Sequence, residues 1–181
     1  MKTELFEKIK EYALSLGATN ANVISASDIV TDRCFRDMCA SNYCGMYGKC
    51  WMCPPDVGEI DVLMAEVKKY SYALVYQYVG TLEDSFDIEG MAEAKKVSYK
   101  IAHSLRNMMK AENTKCLHLG AGGCGACKKC SKVEKKPCRH PDLAMPSLEA
   151  YGINVSKLAE SAQMKYINGP DTVTYFGAVL F

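Results

Sequence analysis

Apolar residues at Leu5, Ile9, Ala13 and Leu16 recur at a three-to-four spacing, which predicts an amphipathic helix over 4–16 with Thr3 as N-cap and Gly17 as C-cap. Residues 21–30, ANVISASDIV, read as a strand. From Cys34 to Pro55 the pattern stops. Gly45, Gly48, Pro54 and Pro55 fall in this stretch, no regular period survives, and a loop wrapped around something is expected. Asp56 with Glu59 three residues later reads as an acidic capping box. Ile60, Leu63 and Val67 then give the inner face of a helix to about Tyr70. Residues 71–79, SYALVYQYV, read as a strand enriched in aromatics.

Asp87 is placed to cap a long helix to about Glu112. Its stripe of Met91, Ala94, Val97, Ile101, Leu105 and Met108 is read as core. A short strand at 115–119 leads into a second loop. Ser147 caps a brief helical stretch that Gly152 breaks, and Asn154 restarts a helix to about Ala162. At the tail, Lys165–Ile167 is expected to pair with Thr172–Phe181 across the turn Asn168-Gly169-Pro170-Asp171. The whole predicts a single domain over 1–181 of α/β (α+β) class. A mixed sheet flanked by helices would carry two cysteine-rich loops, at 34–55 and 120–141. The interleaving of strands and helices allows both loops to leave the same edge of one sheet.

Composition changes the picture chiefly through cysteine. The chain has 181 residues and a net charge of +1, so charge alone implies no nucleic-acid or membrane partner. The start, MKTELFEKIKEY, has no apolar segment of the kind a secretory signal needs, and no apolar run approaches the length of a membrane span. A cytoplasmic location follows as the expectation, and there thiols stay reduced. Ten cysteines are present. Buried structural cysteines would be scattered, but five lie in Cys34–Cys53 and five in Cys116–Cys138, with none in the 62 residues between. Metal binding or thiol chemistry explains that clustering.

The second loop carries the stronger signal. Cys124, Cys127, Cys130 and Cys138 form C-x2-C-x2-C-x7-C. Three thiolates at that spacing can curl around one corner of a [4Fe–4S] cube while a remote fourth closes the cage, as in bacterial ferredoxins. Zinc favours two separate C-x2-C knuckles instead. Glycines at 120, 122, 123 and 125 let backbone N–H groups approach such a cluster. Lys128, Lys129, Lys132, Lys135, Lys136 and Arg139 crowd the loop, with only Glu134 opposing in the sequence. Those cations would stabilise an anionic thiolate-bound cluster and steer an acidic redox partner protein.

The first loop offers five thiols for a second cluster: Cys34, Cys39, Cys44, Cys50 and Cys53. Geometry alone singles out Cys50 and Cys53 as a C-x2-C chelate. The step Cys53-Pro54 echoes the Cys-Pro of ferredoxins. The radical-SAM spacing, a P-loop and a G-x-G-x-x-G fingerprint are absent. Among the three histidines, His103 reads as structural, while His118 and His140 flank the second loop as candidates to support its ligands.

Longer motifs add a resemblance. Arg36-Asp37-Met38-Cys39, Cys44-Gly45-Met46-Tyr47-Gly48-Lys49 and Trp51-Met52-Cys53-Pro54-Pro55 resemble a family of predicted metal-binding proteins of unknown function. The likeness continues through Leu119–Cys124, Cys127, Cys130, Pro137-Cys138-Arg139-His140-Pro141, Pro146–Gly152 and the tail Thr172–Phe176. It implies Cys39, Cys44 and Cys53 as ligands in the first loop and Cys124, Cys127, Cys130 and Cys138 in the second. Cys34, Cys50 and Cys116 lie outside the pattern, so the fourth ligand of the first site stays open.

Three functions compete at this level. An electron-transfer or redox accessory protein holding [4Fe–4S] clusters accounts for both loops and the basic patch. A cluster-dependent enzyme would use an open iron at the first loop, in a pocket lined by Tyr43, Tyr47 and Trp51. A zinc-stapled interaction module would use the same thiols for Zn.

Overall fold

The computed structural model describes residues 2–181. The first helix, α1 (Lys2–Ser15), starts before Thr3, so Thr3 lies inside it rather than at its cap. Gly17 follows its end, with the Ala18 N–H bonded to the Ala13 carbonyl. Strand β1 (Asn20–Ser25) is shorter than the apolar run predicts, because residues 26–28 turn into a 3₁₀ helix. Then come α2 (Cys34–Ala40), α3 (Ile60–Val67), β2 (Tyr72–Thr81), α4 (Ile88–Ala111), β3 (Leu117–Leu119), α5 (Val155–Ser161) and β4 (Thr172–Leu180).

The four strands form one sheet in the order β1-β2-β4-β3, with every pairing antiparallel. Helices cover both faces. Leu74 and Tyr76 of β2 pack with Ile9 and Ala13 of α1 and with Ile101, Leu105 and Met109 of α4. Ala73 and Val75, the alternate positions, pack with Leu63 and Val67 of α3 and Leu158 of α5. Each such fully buried Leu or Ile stabilises the fold by about 2 kcal/mol. Tyr76 lies across Gly177, its partner in the β2–β4 register. A Cβ at Gly177 would meet the Tyr76 hydroxyl at 2.2 Å, so this glycine is where the ring sits.

Local caps form as the sequence predicts. The Asp87 carboxylate accepts from the Gly90 N–H at the start of α4. The Ser147 hydroxyl accepts from the Ala150 N–H, a 3₁₀ turn spans Glu149–Tyr151, and Gly152 ends it at φ 71°. Asn154 caps α5 by accepting from the Lys157 N–H.

Three expectations are corrected. Residues 34–40 are helical rather than irregular; the Asp32 carboxylate accepts the Cys34 N–H at 2.8 Å, but α2 buries none of its residues, so no apolar stripe marks it. Asp56 does not cap α3, which begins at Ile60 with no side-chain cap at all; it pairs with Lys132 instead. The tail hairpin does not form, because β4 spends its backbone groups on β2 and β3 and residues 165–167 join no strand. No helix among the described residues is long and apolar enough to cross a membrane.

Candidate metal centre

The two cysteine loops leave from opposite edge strands, β1 and β3, not from a shared edge. They meet because the chain after β1 crosses the face covered by α3 and α5, burying Ala26 and Ile29 there. It reaches the 149–153 segment, where Asp32 N–H bonds to the Gly152 carbonyl at 2.7 Å and Thr31 bridges Ile153. Arg36 of α2 then donates to the carbonyls of Gly58 (2.9 Å) and Ala150 (3.3 Å).

Further contacts stitch loop to loop. Trp51 Nε1 donates to the Lys136 carbonyl at 3.0 Å. Lys132 pairs with Asp56 in a partly buried contact and lies 4.3 Å from the Trp51 ring centre. Within the second loop, the Tyr99 hydroxyl reaches down from α4 to the Gly123 carbonyl at 2.7 Å. Gly125 has φ +65°, and a Cβ there would meet Tyr99 ring atoms at 2.4–2.5 Å. Ser131, 1% exposed, donates to the Pro137 carbonyl at 2.7 Å and closes the chain between Cys130 and Cys138. Arg139 donates to the Lys129 carbonyl at 3.1 Å.

The stitched loops enclose two cavities. One, of about 380 Å³, is lined by Cys124, Cys127, Cys130 and Cys138 together with Cys50. Lys49, Trp51, Lys128 and Lys129 line it as well. The other, of about 250 Å³, is lined by Cys39, Cys44 and Cys53, with Tyr43, Tyr47 and Glu149. Met46 lies between, lining both. All seven cysteines expected as ligands therefore line one cavity or the other, in the two groups expected. Cys34 and Cys116 line neither cysteine cavity. Trp51 belongs to the larger cavity, not to the first-loop pocket with Tyr43 and Tyr47. His118 and His140 line neither cavity. His118 is buried beside Arg106 and Lys110, whose charges add to burial in holding its pKa down at about 3, and His140 is exposed.

Every cysteine is a free thiol. Cys50, 2% exposed, lines the larger cavity. Its thiol, with burial, holds the Cys124 thiol well above the usual value. The same Cys50 thiol outweighs burial at Cys53 and draws that thiol down. The opposing charge is richer than the loop sequence implies. Asp56 takes Lys132, and Glu134 takes Lys136 and, at 3.7 Å, Arg139. Lys128 and Lys129 remain facing the larger cavity.

A zinc ion needs four donors at about 2.0–2.3 Å from one point. Among the described residues, no three Cys, His, Asp or Glu side chains are gathered tightly enough to hold a single ion. The donor set itself, four thiols around one cavity and three plus a carboxylate around the next, is rich in the soft thiolate ligands that suit zinc, copper(I) and iron–sulfur clusters alike.

A family model described as predicted metal-binding protein (DUF2284) matches residues 22–181. No curated protein and no solved structure matches the chain.

Proposed function

This chain belongs to that family of predicted metal-binding proteins, and from that premise we propose that its metal is iron, held as [4Fe–4S] clusters for electron transfer or a redox accessory role. One cluster is assigned to Cys124, Cys127, Cys130 and Cys138, and a second to Cys39, Cys44 and Cys53. The observation that carries this reading is the larger cavity: four thiols spaced C-x2-C-x2-C-x7-C all line one space of about 380 Å³. A [4Fe–4S] cluster bound there supplies one-electron chemistry.

The protein's own residues prepare the site. Tyr99, Ser131 and Arg139 fix the loop backbone through carbonyl contacts. Lys49, Lys128 and Lys129 supply positive charge beside thiolates that together carry negative charge. The same cations favour an acidic partner protein. Ten free thiols fit a reducing compartment such as the cytoplasm.

Anaerobic purification followed by iron, zinc and acid-labile sulfide analysis tests the reading. Iron and sulfide in equal amounts are expected. Cys127→Ser or Cys130→Ser should remove about half of both, because the other set of thiols is untouched. Stoichiometric zinc without sulfide would overturn the proposal in favour of a zinc-stapled module. A second reading, an enzyme with an open iron, is favoured by one observation: the smaller cavity has only three thiols, and its Tyr43 is fully exposed at the rim.

A further inference from the structure

The smaller cavity has three cysteines and one carboxylate. Its cysteines come from α2 (Cys39) and the following loop (Cys44, Cys53), and its carboxylate, Glu149, comes from the distant 3₁₀ turn. The two sides are held in place by backbone contacts. Arg36, one turn before Cys39 on α2, donates to the Ala150 carbonyl, the residue after Glu149. Asp32, just before α2, bonds to Gly152. These anchors aim α2 and the 3₁₀ turn at one space.

Nearby groups are already engaged. Arg36 is spent on carbonyls, and the Ser147 hydroxyl caps the turn. Among the described residues no hydrogen bond or ion pair takes up the Glu149 carboxylate. A half-buried carboxylate beside thiols is uncomfortable. A positive metal centre between them would turn that crowding of donor groups into ligation.

We propose that Glu149 is the oxygen ligand that completes the first site, giving a Cys39, Cys44, Cys53 and Glu149 set with one exchangeable iron. The inference rests on the cluster reading above. Cys50, which lies between Cys44 and Cys53 in the chain, lines the larger cavity instead. A carboxylate binds iron less tenaciously than a thiolate does, so the iron it holds is the one that small ligands and oxidants reach. Mild oxidation with ferricyanide should therefore convert that [4Fe–4S]2+ centre into [3Fe–4S]+. One Fe2+ leaves and one electron passes to the ferricyanide.

The test is EPR of anaerobically purified protein, with iron and sulfide content, before and after ferricyanide. Wild type should give a [3Fe–4S] signal of about one per chain. Glu149→Cys should keep full iron and sulfide but resist the conversion, since a thiolate replaces the labile ligand. Glu149→Gln should lose part of the iron from this site alone. Cys50→Ser should keep the convertible centre. Conversion undiminished in Glu149→Cys, or loss of the convertible centre in Cys50→Ser, would overturn the assignment of Glu149 while leaving the clusters in place. Absence of iron and sulfide from wild type would overturn the cluster reading and this inference together. Far-UV circular dichroism checks that each variant folds, and Glu149→Gln and Glu149→Cys both spare the backbone of the turn.

Discussion

Gly125 sits between two of the candidate ligands, Cys124 and Cys127, and its replacement by alanine tests whether α4 shapes the second loop. The backbone there is left-handed, at φ +65°, and the new Cβ would land 2.4–2.5 Å from the tip of the Tyr99 ring. The left-handed conformation costs an L-residue about 1–2 kcal/mol. Forcing the ring aside adds about 1–3 kcal/mol of overpacking, and the Tyr99–Gly123 hydrogen bond it breaks is worth about 1 kcal/mol. Gly125→Ala should therefore destabilise the metal-free chain by about 4 kcal/mol, since these effects overlap. That is a large share of the stability of an ordinary domain, about 5–15 kcal/mol. Urea denaturation of wild type, Gly125→Ala, Tyr99→Ala and the double variant measures it. Without the ring, only the backbone penalty remains, so Gly125→Ala should cost about 1–2 kcal/mol in the Tyr99→Ala background and show a coupling of about 2 kcal/mol. The same cost in both backgrounds would mean that Tyr99 does not shape the loop, and the reasoning would fail.

The remaining predictions concern the stitching and the thiols. Lys132→Ala strands the Asp56 carboxylate, whose Oδ2 is already buried without a partner, and should cost about 1–3 kcal/mol in urea denaturation; Lys132→Ala/Asp56→Ala should cost less than the single change. An unchanged midpoint in Lys132→Ala would show that the two loops do not depend on this pair. Metal binding needs thiolates, and the Cys124 and Cys39 thiols are held above their usual value in the metal-free chain. Binding must then expel protons, so uptake of iron and sulfide should weaken as pH falls and strengthen as it rises; uptake that does not vary with pH would contradict this.

Elements announced by local chemistry were legible in the sequence. Asp87, Ser147 and Asn154 each bond an N–H three residues on, and the stripe around Ile101 and Leu105 repeats often enough to read. What failed depended on partners far along the chain. Asp56 looks like a cap until Lys132, 76 residues later, takes it. The tail strand has a turn signal before it, yet it pairs with β2 and β3. The helix α2 escaped notice because its job is to hold Cys39 and Arg36 rather than to bury an apolar face. The same distinction applies to the site. Cysteine spacing grouped the four thiols of the second loop, but in the first loop it favoured Cys50 with Cys53. The set Cys39, Cys44 and Cys53 came from the family resemblance, and Glu149 shares no spacing with any of them. Its only sequence signal was membership of the Pro146–Gly152 motif, in a loop far from the first cysteines.

The gathering of five cysteines around the larger cavity has a practical consequence for handling the protein. Sulfhydryl groups that face one space are open to cross-linking once air reaches them. A bridge closed by Cys50 would remove a donor from whichever side it captured, Cys53 or Cys124. Material prepared on the bench would then refuse reloading until a reductant reopened the bridge, and its emptiness would record its history rather than its chemistry.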